Sequence, residues 1–270
     1  MALTPFQQTI CRLLSENRIR IGESYVAGGS ALNMLTRSPR ISRDIDLFHD
    51  SLTALEASWD MDRNSLMENG YDLRIVHERS GYIEVVVARG SDSVLIQWTR
   101  DSAFRFFPLI QDDILGLTLH PFDLATNKVL ALVGRLEIRD WVDMVQSHLH
   151  IQHLGLLVWA ACGKDPGFGP LSILQHADRS GHYTQPELDR LVFESEPPAI
   201  QTLSKQWKTM LTEAREIVGL LPSETAGHCV LTSDGTLFNG SIEELEQHLS
   251  AQQILFHKGT IGGAFPLLKP

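Results

Sequence analysis

Short apolar runs separated by turn residues dominate the first 110 residues, whereas apolar residues beyond position 120 recur mainly at helical spacing. Alternation with a period of two is typical of strands, and a period near 3.6 is typical of amphipathic helices. In the first part this pattern predicts strands at 25–27, 44–48, 73–78, 82–88 and 94–99. It also predicts helices at 4–17, 30–36 and 54–69. Thr4, Pro5 and Gln7 form a capping-box sequence that marks the start of the first helix.

The remainder of the chain is predicted to be mainly helical. Its pattern favours helices at 122–134, 139–149, 154–162, 171–179, 185–193 and 198–219. The tail returns to β character, with strands at 229–232, 236–238 and 254–257 and a capped helix at 241–249. The sequence therefore predicts an α+β fold in three parts. These are a small mixed sheet flanked by helices over 1–120, a helical portion over 121–221 and a small α/β tail over 222–270.

One predicted hairpin fixes which polar residues face each other. With Gly90-Ser91 as a two-residue turn, the strands at 82–88 and 94–99 pair 89/92, 87/94, 85/96 and 84/97. This register places four apolar residues on the core face: Val85, Val87, Val94 and Ile96. Glu84 then lies directly across from Gln97 on the opposite face.

Composition is that of a globular protein: 270 residues, 43% hydrophobic and 21% charged, with a formal net charge of −10. No apolar run approaches the roughly 20 residues of a membrane-spanning helix. The three cysteines (Cys11, Cys162 and Cys229) are widely spaced, which predicts reduced, buried thiols in a cytoplasmic protein. The acidic charge disfavours a broad nucleic-acid-binding surface.

Asp44 and Asp46 lie two residues apart on the predicted strand at 44–48. They therefore share one face of the strand, while Ile45 and Leu47 point into the core. Two carboxylates on one face repel each other unless a cation lies between them. Oxygen ligands of this kind suit Mg²⁺ or Mn²⁺, which bind through one or two carboxylates together with substrate phosphates.

A Gly28-Gly29-Ser30 turn precedes this carboxylate pair by thirteen residues. Glycines allow the backbone to approach a phosphate closely, and we expect Ser30 to cap the helix that follows. The N–H groups at the start of that helix would face an anion. Arg43, in a short basic segment just before Asp44, is a further candidate nucleotide contact. A phosphate cradle followed by a metal-binding carboxylate pair is the chemistry of nucleotidyl transfer.

These residues resemble the signature of the nucleotidyltransferase superfamily related to DNA polymerase β, a Gly-Gly/Ser turn followed by Asp-x-Asp. Within it the chain is most similar to the AbiEii/AbiGii type, the toxin half of bacterial toxin–antitoxin and phage-exclusion modules. The resemblance covers roughly residues 20–150. It rests on Gly28 to Asn33, on Ser42 to Phe48, and on a downstream segment of Pro121 to Leu132, Arg135 and Arg139-Asp140-Trp141-Val142-Asp143.

The resemblance implies both an activity and site residues. The activity is Mg²⁺-dependent transfer of a nucleoside monophosphate from an NTP to an acceptor hydroxyl, with tRNA 3′ ends as the acceptor of toxin relatives and a cognate antitoxin as a partner. In that family a lysine and the aspartate of the Arg-Asp-x-x-Asp segment belong to the active site, which assigns Lys128 and Asp140 to it. The sheet-containing part, 1–120, corresponds to the catalytic core.

The chain departs from the family at one position. Relatives carry a third carboxylate on the strand beside Asp-x-Asp, where this chain has Gln97, which can neither act as a base nor offer a charged ligand. We expect Glu84 to supply that carboxylate, as a metal ligand and general base, from the next strand. The alternatives are that activity is lost or weak, or that two carboxylates plus Asp140 suffice.

Several other interpretations stay open at this point. Asp44 and Asp46 could pair with nearby arginines at a solvated strand end, Lys128 could be an exposed helix residue, and Asp140 could stabilise a helix start. The histidines at 148, 150 and 153 fit no zinc spacing and are expected at the surface, without carboxylate partners. Two other functions are a small-molecule transferase like those that modify aminoglycosides, whose cationic substrates suit the acidic charge, and a nucleotide-binding protein without catalysis.

Overall fold

The structure is a computed structural model that describes residues 2–268. The helices are α1 (Pro5–Ile21), α2 (Gly28–Thr36), α3 (Leu52–Glu68), α4 (Pro121–Arg135), α5 (Ile138–His150), α6 (Leu154–Ala161), α7 (Pro170–Ala177), α8 (Gln185–Leu188), α9 (Ile200–Leu220) and α10 (Ile242–Ser250). The strands are β1 (Ser24–Ala27), β2 (Arg40–Ile41), β3 (Asp44–His49), β4 (Asp72–Arg79), β5 (Tyr82–Arg89), β6 (Asp92–Arg100), β7 (Phe104–Arg105), β8 (Ile110–Asp112), β9 (Gly116–Thr118), β10 (Val192–Phe193), β11 (His228–Thr232), β12 (Ile254–Lys258) and β13 (Thr260–Ile261).

The chain forms two compact units. The N-terminal unit contains residues 2–103, 109–120 and 192–195, and the C-terminal unit contains 104–108, 121–191 and 196–268. The short segment 104–108 belongs to the C-terminal unit because Asp123 on α4 accepts hydrogen bonds from the backbone N–H groups of Phe106 and Phe107, at 2.9 and 3.0 Å. The predicted tail at 222–270 is likewise part of the C-terminal unit, up to residue 268.

A seven-stranded mixed sheet forms the centre of the N-terminal unit, in the order β4-β5-β6-β3-β1-β9-β8. β3 runs parallel to β6 and β1 runs parallel to β9, while the other neighbours are antiparallel. The predicted register of the β5–β6 hairpin is confirmed pair by pair, including Glu84 opposite Gln97. The α+β fold with a mixed sheet flanked by helices is therefore confirmed.

Helices α1 and α3 cover the apolar face of this sheet. The indole N–H of Trp98 on β6 donates to Asp62 on α3 at 3.0 Å, and Trp98 packs edge-on against Trp59 at 4.9 Å between ring centroids. The predicted capping box of Thr4 and Gln7 is present, and α1 continues to Ile21, where Gly22 ends it in the left-handed conformation (φ 74°). The opposite face of the central strands carries polar side chains, among them Asp46 and Gln97, beside apolar ones such as Phe48.

In the C-terminal unit, every residue of α6 is buried, and this helix packs against α4 and α9. All five tryptophans of the chain are buried. The three cysteines are free thiols; Cys11 and Cys229 are buried, while Cys162 is only partly buried. In the described part of the chain, no helix is both long and apolar enough to cross a membrane.

Two sequence predictions in this half need correction. The helix expected at 185–193 ends at Leu188, because Val192 and Phe193 pair with Ile41 and Arg40 of β2 instead. The hairpin strand expected at 236–238 is reduced to a single bridge, Leu231–Leu237, and β11 pairs along its full length with β12. The five-residue ladder between β11 and β12 satisfies more backbone groups than a short hairpin strand at 236–238 would. The Asp234 side chain also binds Thr236, which favours a turn at this point.

Candidate active site

Asp44 and Asp46 lie on β3, on the face of the sheet opposite the apolar core. Ile45, Leu47 and His49 are buried, while the two aspartates are partly exposed, so the predicted alternation is confirmed. The hydroxyl of Ser42, two residues before the strand, donates to Asp44 Oδ1 at 2.9 Å and so holds one carboxylate in place. The two carboxylates therefore form a localised negative site at the start of a central strand.

The Gly28-Gly29 turn packs directly against this carboxylate pair. Ala27 on β1 pairs with Asp46 on β3, so the next residue, Gly28, reaches the Asp46 side chain. A Cβ atom on Gly28 would lie 1.8 Å from Asp46 Oδ2, and Gly28 has a φ of 65°. Only glycine is compatible with both the close approach and the left-handed backbone. The start of α2 is thereby placed beside a carboxylate.

The prediction that Ser30 caps α2 is wrong. The helix begins two residues earlier, at Gly28, and Ala27 occupies the cap position. Ser30 lies in the first turn, fully buried, and its hydroxyl donates to the Ala27 carbonyl at 3.2 Å. Within the described residues, no side chain caps the first N–H groups of α2, and such groups at a helix N-terminus bind anions.

The donor set fits a magnesium ion. Two carboxylates on one face supply charged oxygen ligands, and the N-terminus of α2 beside them offers N–H groups to phosphate oxygens. Mg²⁺ usually takes only one or two protein carboxylates and completes its coordination with water and substrate phosphates. Asp44 and Asp46 would therefore hold the ion, and α2 would hold the phosphates.

Gln97 and Glu84 continue the polar face along the sheet. Gln97 on β6 pairs with Asp46 on one side and with Glu84 of β5 on the other. Gln97 Nε2 donates to Glu84 Oε1 at 2.9 Å, and the Tyr82 hydroxyl donates to the same oxygen at 3.1 Å. Glu84 faces the same side as Asp46, but it lies two strands away, about 10 Å at the usual strand spacing. Its role as third carboxylate stays a prediction.

Lys128, in the C-terminal unit, is buried in an ionic cluster with two aspartates of α5. Its ammonium lies 2.8 Å from Asp140 Oδ1 and 3.0 Å from Asp143 Oδ2, and the residue is only 6% exposed. Arg135, also on α4, binds Asp140 through two nitrogens at 2.6 and 2.9 Å. The interpretation of Lys128 as an exposed helix residue is therefore wrong.

The electrostatics of this cluster explain how buried charges persist there. Burial raises the pKa of Asp140, but the hydrogen bond from Arg135 and the charge of Lys128 together lower it to about 2. Asp140 therefore binds Lys128 and Arg135 of α4 in addition to lying in the first turn of α5. From the sequence, Asp143 and Arg135 were placed in the downstream segment but were not assigned a role in the site. The signal was their spacing, since Asp140/Asp143 and Lys128/Arg135 each share a helix face.

Arg43 is exposed, next to Asp44 in sequence. Nothing in the structure tests its predicted contact with a nucleotide.

The interpretation of the three histidines as surface residues without carboxylate partners is wrong for two of them. His148 and His153 are partly buried and stacked edge-on, and His153 Nε2 lies 3.0 Å from Glu213 on α9. The backbone N–H groups of Leu154 and Gly155 donate to the Nδ1 atoms of His148 and His153. Each neutral ring therefore carries its proton on Nε2, so the group with Glu213 serves to cap α6 and does not present metal ligands.

We expect this histidine cap to make the protein sensitive to acid. Burial lowers the pKa of His148 from its ordinary 6.5 to about 4. The unfolded chain therefore binds this proton at a higher pH than the folded protein does. The stability contribution is therefore complete above pH 6.5 and is lost as the pH falls towards 4. Urea unfolding followed between pH 4 and 7 should show this loss.

His148→Asn is the matched control, since its amide oxygen can accept the Leu154 N–H without titrating. His49, whose pKa burial also lowers to about 4, titrates in the same range, so the variant should flatten the acid dependence only in part. An unchanged slope would show that the cap does not contribute.

The fold of this chain is similar to those of several solved structures. A Helicobacter pylori protein described as a candidate nucleotidyltransferase superposes with a TM-score of 0.50, over 79% of this chain and 95% of its own, at 13% sequence identity. JHP933, also from Helicobacter pylori, superposes with a TM-score of 0.53, over 93% of this chain and 99% of its own, again at 13% identity. MenT4, a nucleotidyltransferase toxin from Mycobacterium tuberculosis, superposes with a TM-score of 0.49, over 81% of this chain and 87% of its own, at 15% sequence identity.

No protein-family model matches the sequence, and no curated protein sequence matches it significantly. At identities of 13%, the likeness to the two Helicobacter pylori structures demonstrates a shared fold. The predicted α+β fold, a mixed sheet flanked by helices, is therefore shared with a structure described as a candidate nucleotidyltransferase. Activity has to be argued from the site itself.

Proposed function

We propose that this protein is a nucleotidyltransferase that moves a nucleoside monophosphate from an NTP to an acceptor hydroxyl, with Mg²⁺ or Mn²⁺ as cofactor. The observation that carries the proposal is the contact between the Gly28 turn and Asp46, where a Cβ atom would lie 1.8 Å from the carboxylate. This contact places a helix N-terminus that favours phosphate beside carboxylates that favour a divalent cation.

Each residue of the carboxylate site has a defined task in this proposal. The first N–H groups of α2 bind triphosphate oxygens, and Gly28 lets the backbone come close enough to do so. Asp44 and Asp46 hold the divalent cation, which when bound neutralises the charge on the phosphates and the leaving pyrophosphate. Ser42 orients Asp44. The residues thus act mainly by positioning and electrostatic preorganisation.

The roles of Lys128 and Asp140 remain proposals drawn from the sequence resemblance. Lys128 would contribute a compact positive charge for phosphate oxygens, and Asp140 would orient it through the 2.8 Å ion pair. Asp143 and Arg135 complete the cluster that fixes the ammonium.

For the acceptor we propose RNA, with tRNA 3′ ends as the expected substrate and the protein as the toxin of an AbiEii-type module with a cognate antitoxin. Support comes from the motif pair at Gly28 to Asp46 and Lys128 to Asp143. The net charge of −10 favours instead a cationic small molecule of the aminoglycoside type, which is the second candidate.

One labelling experiment separates these functions. The purified protein is incubated with each ribonucleoside triphosphate, labelled at the α-phosphate, and with total RNA, a protein extract or cationic small molecules. Label in RNA of tRNA size supports the proposed acceptor, and label in a small molecule supports the alternative. Nucleotide binding without label in any acceptor would contradict the enzyme proposal and favour the non-catalytic binding protein.

Gly28→Ala adds only a methyl group, but we expect it to disrupt the proposed metal site. The new Cβ atom would overlap the Asp46 carboxylate, and the left-handed backbone alone costs about 1–2 kcal/mol for a non-glycine residue. We expect Mn²⁺ affinity, measured by electron paramagnetic resonance of the free ion, to fall by roughly tenfold or more.

Gly134→Ala on α4 is the matched control, because a Cβ atom there meets nothing within 4 Å. It should leave Mn²⁺ affinity unchanged and raise helix stability slightly. Equal Mn²⁺ affinity in both variants would show that the Gly28 contact does not shape the site.

A further inference from the structure

A row of polar side chains crosses four neighbouring strands on the site face of the sheet. Asp46 on β3 pairs with Gln97 on β6, Gln97 pairs with Glu84 on β5, and Glu84 lies opposite His77 on β4. Gln97 is therefore the residue between the metal-binding carboxylates and Glu84. Its amide has two different ends, so which end faces Asp46 determines what it can bind.

The contact with Glu84 fixes the orientation of this amide. An ionised carboxylate only accepts hydrogen bonds, so the end of Gln97 that faces it at 2.9 Å has to be the NH₂ group. Tyr82 donates to the same Glu84 oxygen at 3.1 Å, which holds the carboxylate in this position. The oxygen is the other end of this amide, and Asp46 of β3 lies on the side of Gln97 opposite to Glu84.

We infer that Gln97 contributes the third protein oxygen ligand of the divalent cation, and that Glu84 is a positioning residue that orients it. The inference rests on the proposed function, since it concerns the same metal site. Glu84 lies one strand too far, about 10 Å from Asp46, to share that ion easily. Gln97 lies on the strand directly beside Asp46, and amide oxygens are ordinary ligands of hard cations.

The neutral ligand has a consequence for binding. With Asp44, Asp46 and Gln97 the protein ligands carry two negative charges, whereas a third carboxylate would give three. Each charge removed weakens the attraction for a divalent cation. We therefore expect weak binding of the ion alone and much tighter binding in the presence of a nucleoside triphosphate, whose phosphates add negative ligands.

Mn²⁺ alone is the probe, titrated into the full-length protein and followed by electron paramagnetic resonance of the free ion. Gln97→Leu should weaken Mn²⁺ binding by roughly tenfold. Glu84→Leu should weaken it by a comparable factor, because the amide is no longer oriented. Glu84→Gln should bind Mn²⁺ almost as the wild type does, since an amide oxygen at position 84 still accepts the hydrogen bond from Gln97.

Two further variants make the outcomes distinguishable. Gln111→Leu, an exposed change of the same type on β8, should not alter Mn²⁺ binding. Asp46→Asn should abolish it, and if it does not, the proposed metal site itself is wrong. If Asp46→Asn abolishes binding while Gln97→Leu leaves it unchanged, only the present inference fails. A large loss in Glu84→Gln would also overturn it, in favour of Glu84 as a direct ligand. Circular dichroism of each variant checks the fold.

Discussion

Asp46→Asn is expected to abolish nucleotidyl transfer, with a fall in rate of at least roughly a thousandfold. The change removes one of the two charges that we propose hold the divalent cation, at the carboxylate that packs on the Gly28 turn. Asparagine has nearly the same shape, so the fold should be retained and the stability of the metal-free protein should stay the same or rise slightly. The measurement is label transfer at saturating Mg²⁺ and NTP.

Asp44→Asn should behave in the same way, because both carboxylates lie on one face of β3. An exposed aspartate away from this face, Asp60 on α3, provides the matched control, and Asp60→Asn should retain full activity. Full activity in either site variant would end the nucleotidyltransferase proposal. Inactive variants that still bind the NTP with unchanged affinity would place the carboxylates in the chemistry and not in ground-state binding.

Lys128→Met should destabilise the protein by about 3–5 kcal/mol, the usual cost of removing one partner of a buried ion pair. Asp140 and Asp143 are both fully buried, and the Lys128 ammonium lies within 3.0 Å of each. Because the pKa of Asp140 is about 2, below its ordinary 3.8, the stability that the Lys128–Asp140 ion pair contributes is lost only as the pH falls from 3.8 towards 2. Urea unfolding at pH 7 therefore measures the full effect.

A second substitution tests the physical reason. Lys128→Met combined with Asp143→Asn also removes the charge of one buried carboxylate and should recover part of the lost stability. Lys128→Arg keeps the charge and should be milder, so nucleotide affinity can be measured in a folded protein. If the Lys128→Met variant is as stable as the wild type, the Lys128 ammonium does not stabilise the buried aspartates. Unchanged nucleotide affinity in Lys128→Arg would leave Lys128 with a structural role only.

This expectation differs from the one that sequence alone supports. On helix propensity, replacing Lys128 with alanine is harmless or favourable, so the sequence predicts weaker nucleotide binding without loss of stability. The structure predicts instead that the substitution lowers stability, because the buried ammonium of Lys128 neutralises two buried carboxylates. Propensity reports on the local chain and carries no information about a partner twelve or fifteen residues away.

Features that depend on neighbouring residues could be predicted before the fold was known. The Thr4 capping box, the separation of Asp44 and Asp46 from the core residues of β3, and the 84/97 register of the hairpin all follow from local rules. Capping needs a residue three positions away, strand faces alternate by geometry, and a two-residue turn fixes the pairs beyond it. The motif spacing also indicated the nucleotidyltransferase fold.

The tertiary structure decided whatever depends on distant parts of the chain. Ser30 was expected to cap α2, but the close packing of Gly28 on Asp46 starts the helix earlier and buries the hydroxyl. Val192 and Phe193 form a strand because they pair with Ile41 and Arg40 of β2, which lie about 150 residues earlier in the chain. In both cases, backbone groups and side chains brought together by folding outweigh local preferences of less than about 1 kcal/mol per residue.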